Sequence, residues 1–116
     1  MMHTLLILIP SSVDWTVFDQ GWPDFLHQAE RMPGLIREEV LQVEKSLTGH
    51  NLFSRMYSFH FEDQASLIEA MTSPPGKQAS QMIHRITGGK AVILTGETKE
   101  DQPDSWSGSP SENSSR

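Results

Sequence analysis

The sequence predicts a single α+β domain of the ferredoxin-like kind, with the order β-α-β-β-α-β, a four-stranded antiparallel sheet and the helices on one face. Three observations carry this. Short apolar runs sit near both ends of the foldable part, at His3 to Pro10 and Lys90 to Gly96. A clean two-residue alternation spans Phe53 to Phe61. Two stretches with helical spacing lie between these runs.

His3 to Pro10 is a continuous apolar run stopped by Pro10 and Ser11-Ser12. Its length suits a strand, and its lack of alternation predicts burial on both faces. Phe18, Trp22, Phe25, Ala29 and Met32 then recur at helical intervals, and Thr16 to Asp19 offers a capped start. Pro23 cannot donate to the carbonyl of Asp19, so a kink is expected, or a helix that properly begins at Pro23. Pro33-Gly34 ends this helix.

Leu35 to Leu47 alternates imperfectly, as a long, partly exposed strand would, and Thr48 to Asn51 is turn chemistry. Along Phe53 to Phe61, Phe53, Arg55, Tyr57, Phe59 and Phe61 share one face, and Ser54, Met56, Ser58 and His60 share the other. Asp63 is a good N-cap for a helix over Gln64 to Thr72, which Ser73-Pro-Pro-Gly76 breaks. Ala79, Met82, Ile83 and Ile86 form a second stripe, closed by Gly88-Gly89. Lys90 to Gly96 reads as a fourth strand buried on both sides.

With helices on only one side, strands that are apolar on both faces need another cover. The chain has no third layer, so the expected partner is a second copy, giving a homodimer through the open sheet face. Residues 1–98 are expected to form the domain. Residues 99–116, rich in Ser, Pro and acidic side chains, are expected to be a disordered tail.

Fifteen Asp+Glu against nine Lys+Arg give a net charge of −6 and no polybasic stretch. Nucleic acid and anionic membrane are therefore not expected partners. No cysteine is present, which removes disulfides, zinc-thiolate sites and thiol nucleophiles. The apolar run at Leu5 to Ile9 is too short for a signal-peptide core, and a cytoplasmic location is expected.

Several side chains are candidates for chemistry. His60, next to Ser58 on its strand face, can carry protons for a bound ligand, or act as a sheet-face histidine bonded to a carbonyl. Trp15 and Trp22 flank the start of the first helix and can clamp an aromatic ligand, or simply pack. Arg55 and Tyr57 sit among aromatic rings, where Arg55 can pair with a ligand carboxylate or with Glu39 or Glu44 of the neighbouring strand. Glu38 and Glu39 point to opposite faces and form no acid/base pair. The five histidines show no ligand spacing, so neither a metal nor any other cofactor is expected.

Met32-Pro33-Gly34-Leu35 after an aromatic-rich first helix resembles the junction of EthD-domain proteins. Arg55 with Phe61-Glu62-Asp63, Ser73-Pro74-Pro75-Gly76, and Thr87-Gly88-Gly89 with Gly96-Glu97 are similar to further segments of that family, in the same order over residues 2–98. The resemblance implies a dimeric α/β barrel. The family is named for a component of a bacterial ether-degrading system built around a haem monooxygenase. Its barrel relatives include monooxygenases without metal or flavin, and isomerases.

Many members carry a His in the first helix where this chain has Phe25. His27 lies two residues further on, roughly 200° round the helix, and does not substitute for it. The resemblance thus implies a homodimer that binds a small apolar or aromatic metabolite, as a cofactor-independent oxidoreductase or isomerase in a catabolic pathway. His60 is the proposed proton carrier, and Trp15, Trp22, Arg55, Tyr57 and Ser58 are the pocket residues. The alternative is a non-enzymatic accessory or carrier module for a partner oxygenase.

Overall fold

A computed structural model describes residues 2–99. The tail expected over residues 99–116 lies outside the described residues from position 100 onward. The elements run β1 (Met2–Pro10), α1 (Trp15–Ala29), β2 (Leu35–Gln42), β3 (Phe53–Phe61), α2 (Gln64–Thr72), α3 (Pro74–Ile86) and β4 (Val92–Thr98). The strands form one antiparallel sheet in the order β2-β3-β1-β4. This is the ferredoxin-like arrangement expected from the sequence.

The period-two pattern of β1 and β3 divides the sheet into two unlike faces. Leu5 pairs with Phe59 and Ile7 with Tyr57, and these side chains point to the helices. They join Ile9, Phe61, Phe18, Phe25, Ala29, Leu67, Ala79, Ile83 and Ile86 in one buried core. Thr4, Leu6 and Leu8 of β1 point the other way, beside His60, Ser58 and Met56. Among the described residues no helix covers that second face, so β1 is fully buried on one side only.

The helices begin where side-chain oxygens cap them. Asp14 accepts from the amides of Thr16 and Val17, so the cap of α1 is Asp14 rather than Thr16. Helix α1 runs unbroken through Pro23. Interior proline costs a helix about 3 kcal/mol, and Phe18 and Phe25, buried in the core on either side of Pro23, hold the helix against the sheet. Gly21 serves the same packing, because a Cβ there would overlap Ile86 Cγ2 of α3. Ser73 caps α3 with Pro74 at its first position, so the Ser-Pro-Pro-Gly segment that ends α2 also starts α3.

Two strand limits differ from the sequence reading. β2 stops at Gln42, one further bond joins Val43 N–H to Ser54 C=O, and Leu47 and Leu52 lie exposed in the following loop. β4 runs from Val92 to Thr98 and is exposed along nearly its whole length rather than buried on both sides. It is an edge strand that the helices do not reach across.

Candidate functional site

His60 is fixed on the open face of the sheet. Its ring is only 5% exposed, although no helix lies above it. Nε2 lies 3.0 Å from Glu39 Oε1 on β2, and Nδ1 lies 2.9 Å from Thr4 Oγ1 on β1. Thr4 Oγ1 in turn contacts the hydroxyl of Thr98 on β4. Four adjacent strands therefore each contribute one group to a single polar row.

The register explains the row. Thr4 faces His60 across the β1–β3 pair, and Glu39 faces Ser58, one alternation away on the same face. An irregularity between Leu35 and Arg37 sets this phase. Arg37, opposite His60, reaches back to Glu39 at 3.6 Å and steadies the carboxylate from its solvent side.

The chemistry of the row follows from its donors and acceptors. An ionised carboxylate only accepts, so Nε2–H donates to Glu39. In the neutral ring, Nδ1 then accepts the proton of the Thr4 hydroxyl. Carboxylate, imidazole and hydroxyl in line form the arrangement that raises the basicity of a ring nitrogen and readies a hydroxyl to lose its proton.

The row borders a trough of about 370 Å³ lined by Thr4, Leu6, Ser58, His60, Leu94 and Gly96, among others. Gly96 faces Thr4 across the β1–β4 pair, and a Cβ there would meet nothing within 4 Å.

The other expected site residues lie on the opposite face. Arg55, Tyr57, Trp15 and Trp22 gather between β3 and α1, with Trp22 and Tyr57 rings 4.0 Å apart and the Arg55 guanidinium 4.9 Å from the Trp15 ring centre. Arg55 pairs loosely with Asp19 of α1 at 3.8 Å. It pairs with neither Glu39 nor Glu44, since Glu39 points through the other face to His60. Burial raises the Tyr57 pKa, opposed by a hydrogen bond and charge from Arg55. The six residues thus form two sites: His60 with Ser58, and Arg55, Tyr57, Trp15 with Trp22.

Inside the core the free space is small. An apolar cavity of about 30 Å³, lined by Leu5, Ile7, Phe25, Phe59 and Ile83 among others, has room for little more than a water molecule. Among the described residues, no group of three or more His, Asp or Glu side chains is placed to hold a metal ion. No helix there is long and apolar enough to cross a membrane.

The fold matches those of solved proteins. An EthD family protein from Bacillus halodurans superposes with a TM-score of 0.77 at 25% identity, covering 85% of this chain and 100% of that one. The chain is EthD-like in fold.

A dimeric ferredoxin-like protein of unknown function from Jannaschia superposes at 0.64 with 14% identity, over 84% of this chain and 100% of that one. A cofactor-independent oxygenase from Streptomyces nogalater gives 0.64 with 11% identity, over 88% and 97%. The last two likenesses concern the fold. No family model and no curated protein matches the sequence. Phe25 is a core residue at 2% exposure.

Proposed function

We propose that this chain is an EthD-like homodimer in which two open sheet faces meet and enclose the His60 trough, where a small, largely apolar metabolite undergoes cofactor-independent proton transfer. The observation that carries the reading is the His60 imidazole, buried on an uncovered face and bonded at both ring nitrogens, to Glu39 and to Thr4. A polar group taken out of water needs such partners, and this choice of partners equips it for acid/base work. His60 is the proton carrier, Glu39 fixes its tautomer, and Thr4 Oγ1 faces the metabolite.

The dimer is supported by the apolar rim of the same face, where Leu41, Val92 and Leu94 are 56%, 37% and 49% exposed. A solved relative in fold is itself dimeric. The oxygenase among the similar structures, which is cofactor-independent, agrees with a reaction run on protein groups alone. Oxidoreductase and isomerase chemistry both begin with loss of a C–H or O–H proton, and a cytoplasmic catabolic setting is part of the proposal.

The test is hydrogen exchange in D2O, followed by proton NMR, over a panel of phenols, β-dicarbonyl compounds and hydroxyketones. Exchange into at least one compound should fall by about 10²–10⁴-fold in His60→Gln. Equal exchange by that variant, or a monomer in light scattering at micromolar concentration, would refute the proposal.

A second reading, an accessory or carrier module for a partner oxygenase, is favoured by one observation. The enclosed cavity inside the core is too small for a metabolite. Catalysed exchange by the purified chain alone would dismiss it.

A further inference from the structure

The cleft on the helix side of the β2–β3 edge is separate from the His60 trough. It measures about 280 Å³ and is lined by Trp22, Leu26, Val40, Gln42, Arg55 and Tyr57, together with the two glutamates Glu38 and Glu39. Two aromatic rings form part of its wall. The Trp22 ring lies 4.0 Å from that of Tyr57, with 32° between their planes. Its one cation is Arg55, whose guanidinium rests 4.9 Å from the Trp15 ring centre and 5.5 Å from that of Phe18. Cation–π contact with both rings holds the guanidinium in place.

The present partner of Arg55 is a poor one. Asp19 Oδ1 stands 3.8 Å away, beyond hydrogen-bond range, and the Asp19 side chain is 62% exposed against 30% for Arg55. A screened contact of this kind contributes little. A ligand carboxylate can approach the guanidinium in the two-bond geometry that Asp19 does not reach. Arg55 also opposes the burial that raises the Tyr57 pKa. An aromatic ring attached to such a carboxylate would lie against Trp22 and Tyr57.

We infer that this cleft is a binding site for a planar aromatic monocarboxylate, held by Arg55 at its carboxylate and by Trp22 and Tyr57 at its ring. The inference does not rest on the proton-transfer reading, because Arg55, Tyr57 and Trp22 lie on the helix side of the sheet and His60 on the other, with only Glu39 of the β2 edge bordering both.

Glu38 shares the cleft without opposing the ligand below neutrality. Its carboxyl is pushed up to about 7 by burial and by the hydrogen bond and charge of Glu30, and it is then largely protonated. The charged groups about it are Glu30 from the end of α1, Glu39 next to it on β2 and Arg55 from β3.

The experiment is calorimetric titration of the full-length chain at pH 6 with benzoate, and with benzamide as its uncharged counterpart. Benzoate should bind saturably and benzamide roughly tenfold more weakly or worse. Arg55→Gln should weaken benzoate by roughly tenfold or more, and Asp19→Asn, which releases Arg55, should tighten it by about threefold. His60→Gln should bind benzoate as the parent does.

The inference is overturned if benzamide matches benzoate, if benzoate fails to bind, or if Arg55→Gln leaves the affinity unchanged. Loss of benzoate binding in His60→Gln would move the ligand to the trough and also overturn it. Should Arg55→Gln fail to fold, Asp19→Asn decides alone, with unchanged or weaker binding as the contrary result.

Discussion

Substituting Gly21 with alanine sets two effects of known sign against each other. Gly21 lies mid-helix in α1, where alanine is favoured by about 1 kcal/mol on backbone grounds. The same Cβ would overlap Ile86 Cγ2 on the neighbouring helix α3. Ile86 is 4% exposed and packed into the core, so it has little room to move aside. Overpacking of this kind costs about 1–3 kcal/mol.

The collision therefore wins, and Gly21→Ala should be less stable by about 1 kcal/mol. Ile86→Leu removes the branch that carries Cγ2 and keeps the side-chain volume. In that background the backbone gain should emerge, with a favourable coupling of about 1–2 kcal/mol between the two changes. Urea denaturation of the four proteins, with unchanged m-values, measures the cycle. A Gly21→Ala protein more stable than the parent while Ile86 is intact would show that α1 and α3 do not meet as described.

Two further outcomes follow from the site geometry. Thr4→Val keeps the shape of the residue but leaves His60 Nδ1 buried without a donor, so stability should fall by about 1–3 kcal/mol in urea denaturation, with Thr4→Ser close to the parent. Glu38 carries a folded-state pKa of about 7 against an ordinary value of 4.5, so between these values the folded chain binds more protons than the unfolded one. Stability should thus decline as pH rises through that window. Glu38 is exposed and solvent screens it, so Glu38→Gln should flatten the decline by only on the order of 1 kcal/mol between pH 5 and pH 8, and identical slopes for the two proteins would show that Glu38 is not its source.

Much of this fold was legible from periodicity. The alternation from Arg55 to Phe61 assigned those β3 side chains to their observed faces, because a strand with one face in a core leaves no freedom in phase, whereas a register shift at Pro10 takes Phe53 out of step. The limits of β4 and the course of α1 were less legible. Lys90 to Gly96 is apolar enough to suggest two-sided burial, yet β4 is an edge, and no local pattern states how far two helices extend across a sheet. Pro23 argued for a break that core contacts at Phe18 and Phe25 override.

The site was half legible. His60 and Arg55 stood out by residue type, and Glu39 was noticed with the wrong partner. Its true contact depends on the β2–β3 register, which an irregularity at Ile36 and a long connecting loop together set. Thr4, inside an apolar run, gave no sign of itself. A lone threonine opposite a strand histidine becomes visible only once the strands are paired.

The exposed course of β4 bears on how the protein behaves in concentrated solution. Both outer strands of the sheet offer unpaired backbone groups, but they are guarded unequally. β2 carries Arg37, Glu38 and Glu39 in succession, whereas β4 presents Val92, Ile93 and Leu94 before its first charge at Glu97. Strand-to-strand growth between molecules is resisted by charge at the first edge and invited by branched aliphatics at the second. Fibre formation on long storage should therefore begin at β4, and a lysine in place of Ile93 should delay it.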